Sequence, residues 1–150
     1  HLGIEANNIT NSVDLSTTHN RIRLSEVLGD AEIRNQHGEV RAIGMLAGVR
    51  VSNRHGRTEV KSSGDNVTVD AEHGSVKIEM DNPDFESVDV ETSYSRIEVL
   101  LPSSSSPAIR METTHGRAES DFESNNTASR RVVLKNKHGD IRIKRRDSSD

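Results

Sequence analysis

The sequence contains no cysteine and very few aromatic residues. Its 150 residues include no Cys, no Trp, one Tyr and two Phe. Without cysteine the chain has no disulfide framework, no thiol nucleophile and no cysteine–zinc site. Aromatic side chains, at 2% of the chain, are too few for a thick globular core. They are also too few for the stacking platforms that bind sugars or single-stranded nucleic acid.

Charge and apolar content exclude further classes. The net charge is −4, from 20 Lys and Arg against 24 Asp and Glu of interspersed sign, so we expect no nucleic-acid partner. The apolar fraction is 31%, and no run reaches the roughly 18 residues of a membrane span, so we expect no direct membrane insertion by this segment. The sequence starts with His and shows no signal peptide, which predicts a processed or excised chain. We interpret 1–150 as one domain that begins in the middle of a repeat.

The dipeptide His-Gly marks a repeat. It occurs at His37-Gly38, His55-Gly56, His73-Gly74, His115-Gly116 and His138-Gly139. Steps of 18 residues connect His1, His19, His37, His55 and His73, the step to His115 is 42, and the step to His138 is 23. Tyr94 lies at the midpoint of the longest step. All seven histidines therefore fall into one column, in which Tyr94 fills the only gap.

Apolar pairs flank every column residue, six and four residues before it and three and five after it. Around His73 these are Val67, Val69, Val76 and Ile78. Of the 30 such slots in the chain, 28 are apolar, and the exceptions are Thr58 and Ser120. Polar residues alternate with the slots, which is the pattern of half-buried strands. Each unit is therefore predicted to be two short strands joined by a turn, where the glycine supplies a positive φ.

Insertions occur at only one corner of the repeat. The stretch between units is 7 residues four times and then 10, 10 and 12, as expected when one edge of a repeat array varies. A β-solenoid of about seven coils of 18–23 residues would stack like slots about 4.8 Å apart. The alternative is an antiparallel meander of hairpins with tight turns at His-Gly. We favour the solenoid, because no helix pattern is present to cover the apolar face of a meander. The tail from about residue 145 is expected to be flexible.

The units 49–56 (VRVSNRHG) and 67–78 (VTVDAEHGSVKI) resemble those of a bacterial adhesin-like β-strand-repeat family (domain of unknown function 4097). Repeats of that family commonly read Val-x-Val-x-Thr-x-Asn-Gly-x-Val-x-Val, and the resemblance extends over essentially the whole chain. It implies a right-handed β-helix on the outside of a membrane-anchored or secreted bacterial protein, at the cell surface or in the periplasm. The present chain differs in having His where the family often has Asn. The family offers no established catalytic residue to carry over.

The histidine column is the main candidate site. It comprises His1, His19, His37, His55, His73, Tyr94, His115 and His138, followed by the turn glycines Gly38, Gly56, Gly74, Gly116 and Gly139. Stacked imidazoles could share Zn²⁺, Cu²⁺ or Ni²⁺, or respond to pH because charging one disfavours charging the next. We favour a structural role as a turn residue, since His tolerates left-handed backbone better than most residues. No carboxylate shares the column and Tyr94 interrupts it, so we predict no metal ligand and no cofactor.

Two further columns have structural interpretations. An outward column mixes charges along the stack, and an inward polar column is expected to bond the turn backbone. The outward residues, in chain order, are Arg23, Arg41, Glu59, Lys77, Glu98, Glu119 and Arg142. The inward residues are Thr17, Asn35, Asn53, Ala71, Thr92, Thr113 and Asn136. Asn8, Asn66 and Asn125 begin Asn-x-Ser/Thr sequences, which would accept glycans only in a glycosylating host.

No motif indicates catalysis. The carboxylates follow the strand repeat instead of converging as an acid–base pair, and the serine run 103–106 lacks a nucleophile elbow. We therefore expect a non-enzymatic, extracytoplasmic structural or adhesin-like module. An unknown protein or surface ligand would bind along its faces or at the long connections 79–87, 100–108 and 121–131. The alternatives are a homo-oligomer that assembles by end-to-end stacking and a metal- or pH-responsive module using the histidine column.

Overall fold

The alternating segments form β-strands throughout the part of the chain that the computed structural model describes, namely residues 4–19, 21–62, 66–80, 85–102, 108–121 and 130–146. In chain order the strands there are β1 (Ile4–Ile9), β2 (Val13–Thr17), β3 (Ile22–Val27), β4 (Ala31–His37), β5 (Val40–Met45), β6 (Val49–His55), β7 (Thr58–Ser62), β8 (Asn66–His73), β9 (Val76–Met80), β10 (Ser87–Tyr94), β11 (Ile97–Pro102), β12 (Ala108–His115), β13 (Ala118–Ser120), β14 (Arg131–His138) and β15 (Ile141–Arg146). Strand β15 therefore continues past residue 145, where a tail was expected, and 147–150 lie outside the described residues. Within the described ranges no helix has the length and apolar character needed to cross a membrane.

The strands pair in parallel and form two sheets. The first sheet has eight strands, in the order β1-β3-β5-β7-β9-β11-β15-β13, and the second has seven, in the order β12-β14-β10-β8-β6-β4-β2. The two strands that flank each His-Gly turn belong to different sheets, so each unit is one coil of a solenoid. The β-solenoid prediction is confirmed. The hairpin meander is wrong, because it requires antiparallel pairing of those two strands.

The interior is a two-layer stack of the predicted slots. Equivalent slots pair across coils, for example Val49 with Val67 and Val51 with Val69, and the slot residues of the central coils are completely or almost completely buried. Burying one such Val or Ile stabilises the fold by about 1.5–3 kcal/mol. Thr58, one of the two polar exceptions, is also fully buried. Its hydroxyl Oγ1 accepts a hydrogen bond of 3.3 Å from Asn53 Nδ2, which satisfies the buried group.

The coils do not stack in chain order. The last coil, β14–β15, lies between β10–β11 on one side and β12–β13 on the other. Strand β14 pairs with both β10 and β12, and β15 pairs with both β11 and β13. After β11 the chain therefore passes over one coil position in the stack, and after β13 it returns and fills that position with β14–β15. The two departures from chain order occur at steps of 10 and 12 positions between slots, whereas the other step of 10, from Ile78 to Val88, leads to the adjacent coil and the early steps are 7.

Charge explains part of this order. In chain order Glu98 would lie beside Glu119, and like charges on neighbouring strands are destabilising. In the structure Arg142 pairs in register with both glutamates and contacts Glu119 at 3.2 Å. Lys144 of the same coil contacts Glu98 at 3.6 Å. These exposed ion pairs each contribute at most about 1 kcal/mol, but they all favour the same order.

Two other outward columns repeat the arrangement. Lys135 pairs in register with both Glu91 and Glu112, which chain order would have placed side by side. Arg96 and Arg117 would likewise have been neighbours, and Asp140 lies between them. The carboxylate of Asp140 accepts a hydrogen bond from the backbone N–H of Arg117 at 3.1 Å. At each of these positions the inserted coil therefore carries the charge opposite to that of its two neighbours.

Apolar content favours the same order. The inserted coil fills its slots with Val132, Leu134, Ile141 and Ile143, which are at most 1% exposed. The displaced coil has Ala118 and Ser120 in its second strand, and both residues are partly or largely exposed at the end of the stack. The more apolar coil is thus covered on both sides, while the more polar coil occupies the end, where terminal repeats need a polar outer face.

Engineered disulfides test the order of the coils, since the chain has no other cysteine. Glu91→Cys with Lys135→Cys joins paired neighbours, whose Cα atoms lie about 4.8 Å apart, within the range that a disulfide spans. Glu91→Cys with Glu112→Cys is the matched control, because its residues are two levels apart at roughly 9.6 Å. Under mild oxidation we expect the first pair alone to crosslink, as read by non-reducing gel and peptide mass spectrometry. Efficient crosslinking of the second pair would show chain-order stacking.

Candidate functional site: a stacked histidine corner

Seven aromatic rings stack face to face along the corner where the first strand of each coil turns into the second. We name this set the histidine corner; in spatial order it consists of His19, His37, His55, His73, Tyr94, His138 and His115. Successive ring centroids are 4.8–5.0 Å apart and successive ring planes differ by 4–14°. Six steps at the strand spacing give a row roughly 29 Å long. His138 thus lies between Tyr94 and His115, and His1 lies outside the described residues.

Backbone pairing continues through the turn and fixes the ring spacing. The N–H of Gly38 donates to the carbonyl of His55 at 3.0 Å, and the N–H of Gly56 donates to the carbonyl of His73 at 3.1 Å. At the other end, the N–H of Gly139 donates to the carbonyl of His115 at 3.0 Å. Because each turn is bonded to the next, the column residues are held at the strand spacing, and their flat side chains stack.

Glycine is required where the turns nest. Gly38, Gly56, Gly74 and Gly139 have φ between 117° and 138°, which L side chains rarely adopt. A Cβ on Gly56 would overlap the carbonyl of Gly38 in the adjacent coil. None of the described histidines has a positive φ, so the interpretation of His as a left-handed turn residue is wrong. The glycine supplies the unusual conformation, and the histidine side chain is left to form the stack.

The inward polar column supports the corner from behind, as predicted. Asn53 is 1% exposed and donates from Nδ2 to the carbonyl of Gly38 at 3.1 Å. Thr92 Oγ1 donates to Asn136 Oδ1 at 2.9 Å, and Asn136 Nδ2 donates to the carbonyl of Ser95. These bonds run between coils, so they tie the turns concerned to neighbouring turns.

Charged groups flank the rings on both sides. One position before the rings lie Arg54, Glu72 and Lys137; two positions after them, in spatial order, lie Arg21, Glu39, Arg57, Ser75, Arg96, Asp140 and Arg117. Arg54 and Glu72 form an exposed ion pair of 3.3 Å. Loss of water contact within the stack, followed by the positive charges of His55, His19 and Arg54, lowers the pKa of His37 from its usual value of 6.5. Sequence reasoning missed the flanking arginines, although they follow the same repeat as the histidines.

The stack is poorly arranged for a shared metal ion. A histidine nitrogen binds Zn²⁺ at about 2.0–2.1 Å along a lone pair in the ring plane. Parallel rings about 4.8–5.0 Å apart direct their lone pairs alongside one another and not toward a common point. Within the described ranges, no group of three or more His, Asp or Glu side chains is placed to hold a metal ion.

The other predicted positions are spread around the solenoid. Asn8 is an exposed residue of β1 with φ of 54°, and Asn66 is the exposed first residue of β8. Asn125 and the serine run 103–106 lie outside the described residues. The described parts of the three long connections include the fully buried Phe85 and Leu101. None of these positions adjoins the histidine corner in the way that the flanking arginines do.

Acid is expected to destabilise the fold through the stack. A histidine whose pKa is lowered on folding binds fewer protons in the folded state than in the unfolded state, so its contribution to stability is complete above pH 6.5 and is lost as the pH falls. We expect a lower melting temperature at pH 5.5 than at pH 7.5, measured by circular dichroism. The variant His37→Asn should reduce this difference. An equal melting temperature of the native chain at the two pH values would contradict the prediction.

Comparison with known proteins gives no match for this chain among protein-family models, curated proteins or solved structures.

Proposed function

We propose that this protein is a non-enzymatic, extracytoplasmic module of adhesin-like type, which holds surface side chains in long, regular columns for contact with a partner. The observation that carries the proposal is the histidine corner, where seven exposed or half-buried rings are kept in one continuous row by backbone pairing. A row of this kind offers many equal, weak contacts to an extended partner. The extracytoplasmic location rests on the resemblance of the repeats to the adhesin-like family.

The distribution of polar groups also supports a binding role. Catalysis by acid and base requires groups in contrasting environments at one place. Here the exposed rings of the histidine corner repeat from coil to coil, as in the register of His37 with His55 and of His55 with His73. Functional groups that repeat at every level suit recognition of something equally repetitive. The proposed partner is therefore a surface polymer or an extended protein, bound along the coils.

Protease treatment of intact cells tests the location. With an antibody against this chain, the antigen should disappear when protease is added to intact source cells, or after the outer membrane alone is made permeable. A cytoplasmic protein probed in the same samples is the control and should survive both treatments. Survival of the antigen until the cells are fully lysed would contradict the extracytoplasmic proposal.

A second candidate function, end-to-end assembly, is favoured by the open ends of the stack. Among the strands that the structure describes, β1 and β2 at one end, and β12 and β13 at the other, each pair on one side only. Unpaired strand edges can template further pairing. Opposing this, β12 carries an exposed ion pair, Arg110 with Glu112 at 3.1 Å, and charges of this kind discourage edge pairing.

Light scattering across a range of protein concentrations tests assembly. Filaments or end-to-end oligomers should grow with concentration if the edges pair. Because the charges of Arg110 and Glu112 discourage edge pairing, we expect the variant Arg110→Thr with Glu112→Thr to assemble more readily than the native chain. A monodisperse monomer for both proteins at all concentrations would exclude this function.

A further inference from the structure

We infer that the histidine corner is a pH-gated binding ridge for a linear acidic polysaccharide that carries sulfate or carboxylate groups. The inference rests on the proposed function and names the partner class. Its basis is the local charge of the ridge together with its shape.

The charge of the ridge differs from that of the whole chain. The chain as a whole has a net charge of −4, yet the ridge is flanked by six basic residues against three acidic ones. The basic residues are Arg21, Arg54, Arg57, Arg96, Arg117 and Lys137, and the acidic residues are Glu39, Glu72 and Asp140. Glu72 and Asp140 are already engaged with Arg54 and with the backbone of Arg117. The ridge is thus basic before any histidine is protonated.

Protonation adds further positive charge along the same line. The described corner holds six imidazoles, four of them consecutive from His19 to His73, separated from the other two by Tyr94. Because adjacent rings are 4.8–5.0 Å apart, protonated neighbours repel one another. A bound anion offsets this repulsion, so protonation and anion binding must favour each other by linkage.

Shape favours a linear polymer over a membrane surface or a small anion. The cations lie in a narrow band along one corner, on the two sides of the ring row, and the backbone pairing between turns continues the band from coil to coil. A membrane would meet a plane of charge, whereas a polysaccharide can follow a line. Tyr94, 53% exposed, has both ring faces covered by His73 and His138, so it presents only its ring edge and hydroxyl to a partner.

Heparin is the test ligand, and its affinity for the full chain is to be measured by calorimetry at low salt. We expect binding to be about tenfold or more stronger at pH 5.5 than at pH 7.5, and to weaken as salt rises. Arg57→Ser with Arg96→Ser should weaken binding at both pH values. The matched control is Arg50→Ser with Arg131→Ser, which removes the same charge from exposed positions near the opposite end of the second-sheet strands and should leave binding unchanged.

The histidines are tested in two ways. The variant His37→Asn, His55→Asn and His73→Asn should lose most of the pH dependence of heparin binding. If that variant fails to fold, NMR titration of the native chain still decides, since heparin should raise the pKa values of the stacked histidines. Histidine pKa values that heparin leaves unchanged, or heparin affinity that is equal at both pH values, would overturn the inference.

Competing ligands separate the partner classes. Duplex DNA and vesicles containing phosphatidylserine should bind more weakly than heparin at pH 5.5, and neutral dextran should not bind. Equal binding of DNA or vesicles would overturn the assignment to a polysaccharide. These outcomes are independent of the cell-protease experiment, so a surface-exposed protein without heparin affinity would retain the proposed function and lose only this inference.

Discussion

Parallel, in-register pairing of equivalent residues is the constraint on which the rest of the structure depends. Once one slot of a coil pairs with the same slot of the next, every column of the repeat is fixed at the strand spacing of about 4.8 Å. This single condition places valine on valine in the interior, as for Val49 and Val67. It places asparagine beside a neighbouring turn and ring upon ring at the corner. A low apolar content suffices, because each coil is covered by its neighbours as well as by the facing sheet.

The same constraint leaves the order of coils open, since any coil can in principle pair with any other. Here weak interactions decide. Arg142, Lys135 and Asp140 each separate two like charges, and the most apolar slots are covered on both sides. No one of these effects exceeds a kcal/mol or two on the surface. Because these weak interactions all favour the same order of coils, together they select that order over the alternatives. This is expected of a sequence whose local interactions all support one fold.

Much of the fold could be predicted from the sequence, and the part that could not has a physical reason. Strict alternation identified the slots, and the repeat placed the turns and the ring column. Chain order was assumed for the stack, yet the sequence contains the contrary signal: Glu98 would have met Glu119, and Glu91 would have met Glu112. The positive φ was correctly assigned to the glycine, but a left-handed backbone was also attributed to the preceding His, and that attribution was wrong. The backbone shows that Gly56 alone needs the unusual φ, which frees His55 to stack.

The stack also restricts how its histidines can behave. In an isolated site, each titrating group is tuned by its own surroundings. In the histidine corner His37 lies between the rings of His19 and His55, and a positive charge on either neighbour helps to lower the pKa of His37. Tyr94 divides the row into segments of four and two imidazoles and limits how far this influence extends. An anion that contacts several rings at once therefore interacts with the stack as a whole.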